Sequence, residues 1–327
     1  MQTDTIMATL EKEKARRTQV SDLLKRLKER LVRYGEEVCQ GVTISGGKVY
    51  YTQGTVDRVT EQLEKDIEDL LNNGTQEMWN KGNEDTEDYL KKHTNDTIQT
   101  SWQPLVEYNT SGEAYKAFAE RKEKGMNLSK RVWNLTKQYK KEIEQAIDTA
   151  VKKGSSAYNL STKVRQYLNN YNLFYKDTIE RGLTPSRVSH NFQSKALRLA
   201  RTEINMAYRK AENNRYNNEW FVVGYEIKTS GTHVHDDNDI CEKLAGKYPK
   251  DFVWSGWHPN CKCYQVPILC TREEMDNYNG TEATITTNSK NAVTSLPRGI
   301  RSYMQSKGKS VKQSNAYFYR DNKKYFE

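Results

Sequence analysis

At 327 residues the chain has room for two or three domains, yet only 35% of it is hydrophobic and 29% is charged. That balance excludes one thick core, and no apolar run approaches the roughly 18 residues that a membrane span needs. The net charge of +9 points to anionic company, although both signs are mixed through most of the length.

The opening stretch, "MQTDTIMATLEKEKARRTQV", lacks the apolar core of a signal peptide. Synthesis and retention in a cytosol are therefore expected, where cysteines serve more often as thiols or metal ligands than as disulfides. Val20, Leu24, Leu27, Leu31, Tyr34 and Val38 recur at spacings of four and three, which predicts one stripe of a long helix. "GVTISGGKVYYTQG" (Gly41 to Gly54) interrupts it with glycines and β-branched or aromatic residues, as a loop or short hairpin would. A second helix follows with Val56, Val59, Leu63, Ile67 and Leu70 as its apolar face. From Asn72 to Glu113 the polar, glycine-dotted sequence predicts irregular helix and loop anchored by Trp79 and Trp102.

Ser129 is a suitable N-cap for the next helix. Val132, Leu135, Tyr139, Ile143, Ala146 and Ala150 form its stripe, and it ends near Gly154. A shorter helix comes after, and Pro185 then stands in a helix-start context before a segment that puts Leu199, Glu203, Met206 and Lys210 on a common face. Beyond Trp220 the texture changes: "WFVVGYEIKTS" reads as a strand, and "CYQVPIL" as its partner, limited by Pro267.

The expected fold is mainly α, an elongated helical body with a small α+β module (a β-hairpin with a candidate zinc knuckle) near residues 215–270. The predicted divisions are an N-terminal helical region (1–125), a helical body (126–215), the module (216–270), and a linker with a basic aromatic tail (271–327). After Pro297 eight Lys/Arg face only Asp321 and Glu327. This tail is either solvated or in contact with an anionic partner. Lys307, Lys309, Lys312 and Arg320 are the candidate DNA contacts, with Tyr303, Tyr317, Phe318 and Tyr319 as stacking or packing groups.

Chemistry concentrates in one place. Cys241, Cys261, Cys263 and Cys270, with His233, His235 and His258, all fall between positions 233 and 270. Cys241, His258, Cys261 and Cys263 form a Cys3His set, a standard structural zinc complement, at the spacing C-x16-H-x2-C-x-C. His235, or His233 beside it, is an alternate ligand. A thin hairpin module buries too little surface to stand alone, so a bound ion would contribute directly to its folding. The spacing fits equally a set of buried thiols with His258 hydrogen-bonded in a turn. No H-x-E accompanies the cysteines as in zinc deaminases, and no base geometry singles out a nucleophile, so no enzyme is predicted. Arg201 and Glu203 sit two apart on a helix and do not face each other. They are candidates for a buried polar lock in which Glu203 points inward to an arginine of another element; a solvated face is the alternative.

"ALRLARTEINMAYRKAENNRY", a strand, "DICEKLAGK" and "HPNCKC" together resemble the Mu F-like phage head morphogenesis family, the minor head (minor capsid) proteins of tailed bacteriophages. The matching positions are Ala200 to Glu203, Cys241 with Leu244 and Gly246, and His258 to Cys263. The resemblance covers about residues 140–270, and "NAYFYRDNKKYF" is similar to the tails of some members. Many members have His where this chain has Cys241, an exchange that keeps a zinc-competent donor, and Lys262 replaces the usual Arg. That exchange favours the zinc reading, and the resemblance implies a non-catalytic role in procapsid and head assembly at the portal vertex of the virion; the alternative is a nucleic-acid-binding zinc-module protein or a phage-encoded effector enzyme. It implies as partners the portal protein, the major capsid or scaffolding protein and packaged DNA contacted without sequence preference, and it implies no membrane.

Overall fold

The computed structural model describes residues 2–46, 48–51, 54–94, 98, 112–170, 173, 176, 192–230, 240–259, 261–278 and 288–327. Trp102, Pro185, His233, His235 and residues 279–287 of the expected linker lie outside them. The described chain is mainly α, with two small antiparallel sheets. Among the described residues no helix is long and apolar enough to cross a membrane. The chain folds as two compact units. One comprises residues 19–73 and 121–201; the other gathers residues 1–18, 74–120 and 202–327.

In the first unit, the predicted stripes are its core. Val20, Leu24, Leu27, Leu31, Tyr34 and Val38 on α1 (Gln2–Gln40) are all buried, as are Val56, Val59, Leu63, Ile67 and Leu70 on α2 (Thr55–His93). Between them Val42–Ser45 (β1) and Lys48–Tyr51 (β2) form the hairpin, with Gly46 at φ +56 supplying the left-handed turn. Tyr34 donates to Asp66 Oδ2 at 2.7 Å, and Arg30 and Arg33 approach the same carboxylate, so a polar clasp borders the apolar seam. The next long helix, α4 (Leu128–Lys152), is capped by Asn127, whose side chain accepts from the Lys130 amide at 2.9 Å; Ser129 is already inside the helix. Tyr139 of α4 donates to the Leu31 carbonyl, and α4 ends where Gly154 takes φ +79. The short α5 (Ala157–Asn169) completes this unit.

The second unit is built around α6 (Phe192–Asn218), whose stretch from Thr202 to Tyr216 is buried on nearly every side. The expected single apolar face is thus an all-round burial, and it forces the polar residues of α6 to find partners. Arg16 donates to Asn205 Oδ1 at 3.0 Å and to Glu13, and Tyr208 donates to Asp85 at 2.8 Å. The segment expected to be irregular, from Asn72 onward, instead continues α2 to His93. Gly82 looks like a helix breaker but marks a close approach: a Cβ there would stand 2.6 Å from the Tyr208 carbonyl oxygen. Glu113–Ala119 (α3) adds Phe118 beside Trp79.

The sheet of this unit has the order β4-β3-β5, made by Val222–Lys228 (β3), Gly246–Tyr248 (β4) and Tyr264–Leu269 (β5). The predicted β3–β5 pairing is present, with Tyr225 opposite Pro267, and the proline sits on an edge strand where its missing N–H costs no ladder bond. Two short helices, α7 (Ile240–Leu244) and α8 (Arg272–Asp276), flank the sheet, and a Thr271–Glu274 capping box starts α8.

The carboxy-terminal segment is folded. Helix α9 (Arg298–Ser314), the short α10 (Tyr317–Arg320) and a 3-10 turn (Lys323–Tyr325) pack onto the module. Ile300, Val311, Phe318 and Tyr319 are buried in the same core as Tyr225, Trp254, Trp257 and the cysteines. Phe318 and Tyr319 are therefore packing groups. Asn322 seals the junction: its Oδ1 accepts from the Val253 amide at 2.6 Å while its Nδ2 donates to the carbonyls of Val253 (2.7 Å) and Phe318 (2.8 Å).

Candidate metal centre

Three local devices bring donors together. Cys241 comes from α7, placed against β4 by the Tyr248 hydroxyl, which donates to the Leu244 carbonyl at 2.6 Å. His258 and Cys261 are held by a tight turn in which the Cys261 amide donates to the His258 carbonyl at 3.1 Å, with Pro259 at the position that favours its fixed φ. Cys263 enters β5 two residues later. The aromatic rings of Tyr248, Phe252, Trp254 and Trp257 enclose the knuckle, with Trp254 and Trp257 edge-to-face at 5.7 Å.

Cys241 Sγ lies 3.0 Å from His258 Nε2 and 3.9 Å from Cys261 Sγ, and the three ligand atoms all lie within 4.8 Å of one another. This group can hold a metal ion. His258 Nδ1 stands 2.7 Å from the Pro259 carbonyl, so Nδ1–H donates there and the Nε2 lone pair faces the sulfurs. Metal-ligating histidines are commonly fixed in this way. Cys263 is fully buried and influences the titration of Cys241 and Cys261, although its sulfur is not among the three converging atoms.

The thiols share their protons unequally. Burial alone pushes Cys261 up, but hydrogen bonds with Cys241 and Cys263 and the Arg209 guanidinium outweigh it and hold the thiol well below its ordinary range. Cys241 is raised, chiefly by its hydrogen bonds with Cys261 and Cys263 and then by burial. For Cys263 the bond with Cys241 lowers the value, while the bond with Cys261 and burial carry it above the ordinary range. The cluster thus favours one thiolate among three sulfurs, which is the charge a cation would meet first.

Arg209 was not visible in the sequence as a site residue, yet it ties the knuckle to α6. Its Nη2 donates to the carbonyls of Cys261 (2.7 Å) and Cys263 (2.8 Å), its Nη1 donates to that of Ser255 (3.2 Å), and its guanidinium lies 4.8 Å from the Trp254 ring centroid. Burial lowers its pKa, an effect offset by Cys261 and Cys263. Gly256 (φ +134) makes room, because a Cβ there would stand 2.9 Å from Arg209 Nη1.

Glu203, expected to point inward, is buried, and Arg201 is half-buried. Lys307, Lys309 and Lys312 are exposed on α9, while Arg320 pairs with Asp321 at 2.8 Å. Cys39 and Cys270 are buried thiols, each pushed up to about 12 mainly by burial. No family model matches the chain, and neither a curated protein nor a solved structure matches it.

Proposed function

We propose that this chain is a minor head protein of a tailed bacteriophage, acting without catalysis in procapsid and head assembly at the portal vertex, and that its knuckle carries a structural zinc. One observation carries the reading. The two sequence blocks behind the family resemblance, the A-R-T-E helix and H-P-N-C-K-C, lie more than fifty residues apart, and Arg209 of that helix binds the Cys261 and Cys263 carbonyls. The blocks therefore act as one physical piece, as a shared family module would require. The partners in this reading are the portal protein, the major capsid or scaffolding protein, and packaged DNA.

Zinc suits the donor chemistry. Tetrahedral zinc with thiolate and imidazole ligands places neighbouring donors ~3.5–3.8 Å apart, and the observed separations of 3.0 and 3.9 Å bracket that range. Cys263 is the fourth donor in this reading. A zinc ion with three thiolates and a neutral imidazole keeps one net negative charge, and the buried Arg209 guanidinium balances it. Bound there, zinc would supply a cross-link between α7, the turn and β5 in a module of modest core.

Two experiments test the parts separately. Co-purification with the portal protein and the loss of mature heads on deletion are expected for the head role; heads that mature normally without the protein overturn it. Elemental analysis is expected to find one zinc per chain, lost in Cys241→Ser and Cys261→Ser, and a metal-free protein whose melting is unchanged by chelators overturns the zinc.

A further inference from the structure

From Asn288 to Arg320 the chain holds seven Lys/Arg and no Asp or Glu. Helix α9 arranges part of this charge. At about 100° per residue, Arg298, Arg301, Lys309 and Lys312 fall within about 80° of azimuth, opposite the buried Ile300 and Val311. All four are exposed, and among the described residues none is in an ion pair. The side chains that share or border their face are Gln305, Ser302 and Gln313, all neutral hydrogen-bonding groups. Lys307 projects near the buried side of the helix instead, and Arg320 is neutralised by Asp321.

We infer that Arg298, Arg301, Lys309 and Lys312 form one stripe that lies along the phosphate backbone of double-stranded nucleic acid and binds it without reading sequence. From Arg298 to Lys312 the stripe is about 21 Å long at the α-helical rise of ~1.5 Å per residue, a length of duplex axis that carries about six phosphates of one strand at ~3.4 Å each. The composition of the face argues for this occupant. Apolar groups of the kind that anchor a protein partner lie beside the stripe and not within it, at Leu296, Met304, Tyr325 and Phe326 of the groove that Arg301, Lys309 and Lys312 also line. A membrane-surface helix inserts its apolar side, and that of α9 is already committed to the module core. Hydroxyl and amide groups between cations match phosphate oxygens. The binding stands on charge and geometry alone; only the identification of the nucleic acid as packaged DNA rests on the head reading above.

The test uses the purified full chain and a fluorescent 30-base-pair duplex, with anisotropy measured across salt. Four neutralised phosphates give a log–log salt slope of about −3.6, equivalent to an affinity loss of roughly 150-fold between 50 and 200 mM salt. Each of Arg298→Gln, Arg301→Gln, Lys309→Gln and Lys312→Gln is expected to flatten the slope by about one. The quadruple variant is expected to lose binding while its melting stays unchanged. Lys307→Gln and Arg320→Gln are expected to leave the slope as it is, and a duplex of different sequence to bind equally. A slope unaltered in the quadruple variant, or binding that resists salt, overturns the stripe. So does tighter binding to anionic vesicles or to polyglutamate than to the duplex. A chain absent from virions but with the expected slope loses the head role and keeps the stripe, so the two failures are distinguishable.

Discussion

Replacing Arg209 by alanine is the sharpest perturbation of the centre. It removes donors to three buried carbonyls, those of Ser255, Cys261 and Cys263. Hydrogen bonds from a charged group contribute ~1.5–3 kcal/mol each, a gross loss of about 5–9 kcal/mol. Against this, the guanidinium's desolvation cost disappears and water can enter the vacated space, so a net cost of about 3–5 kcal/mol is expected, as for breaking other buried charged contacts. The assay is native-state hydrogen exchange read on peptides covering Phe252 to Tyr264. At ~1.4 kcal/mol per tenfold, protection is expected to fall roughly a hundred- to a few-thousand-fold, while residues 121–152 are unaffected. Arg209→Lys keeps the charge but not the planar fork and is expected to fall between. Protection within threefold of the parent, with unchanged metal content, would refute the account of Arg209 as the tie between α6 and the knuckle.

Other consequences can be checked by melting. Gly82→Ala is expected to cost about 1–3 kcal/mol, because its Cβ meets the Tyr208 carbonyl and the Ala211 Cβ. Gly308→Ala, where only Met304 Cε comes near at 3.9 Å, is expected to stabilise α9 by about 0.5–1 kcal/mol. Asn322→Ala strands the Val253 amide and carbonyl and is expected to cost about 2–4 kcal/mol, read as loosened exchange in both the Val253 and Phe318 peptides. Glu212 is held up at about 8, first by burial and then by Glu13, with Arg16 and the Gln265 amide opposing and Asp85 adding to the rise. Its folded pKa lies above the unfolded value near 4.5, so the unfolded chain loses this proton first and stability falls as pH rises from about 4.5 to about 8. Glu212→Gln is expected to flatten that fall and to leave the protein more stable than the parent at pH 8; an unchanged profile would contradict it.

Where side chains repeat with a period, the sequence declares the fold. Val20 to Val38, Val56 to Leu70 and Val132 to Ala150 occupy the buried positions that their spacing predicts, apart from the half-buried Leu135. The donors of the knuckle were legible for another reason: few soft ligands exist in the chain, and most of them cluster. Arg209 was not, because on a polar helix one arginine among several looks solvated until three carbonyls are found facing it. Gly82 misled in the opposite sense, since a residue needed for close helix contact has the same letter as one that ends a helix. The strand Gly246–Tyr248 is too short to display alternation. In the tail, Ile300, Val311 and Phe318 are sparse among cations, and only the surface that receives them makes them a core.

The placement of those late residues has a temporal consequence. Translation delivers Cys241, His258, Cys261 and Cys263 well before Ile300, Phe318 and Asn322, which close over the same core. At roughly 5–20 residues per second, the stretch from Cys263 to Asn322 leaves a window of about 3–12 s with the thiols still accessible. An ion taken up by them in that window would be acquired on the ribosome, before the sulfurs are buried and His258 is left as the half-buried donor of the finished core.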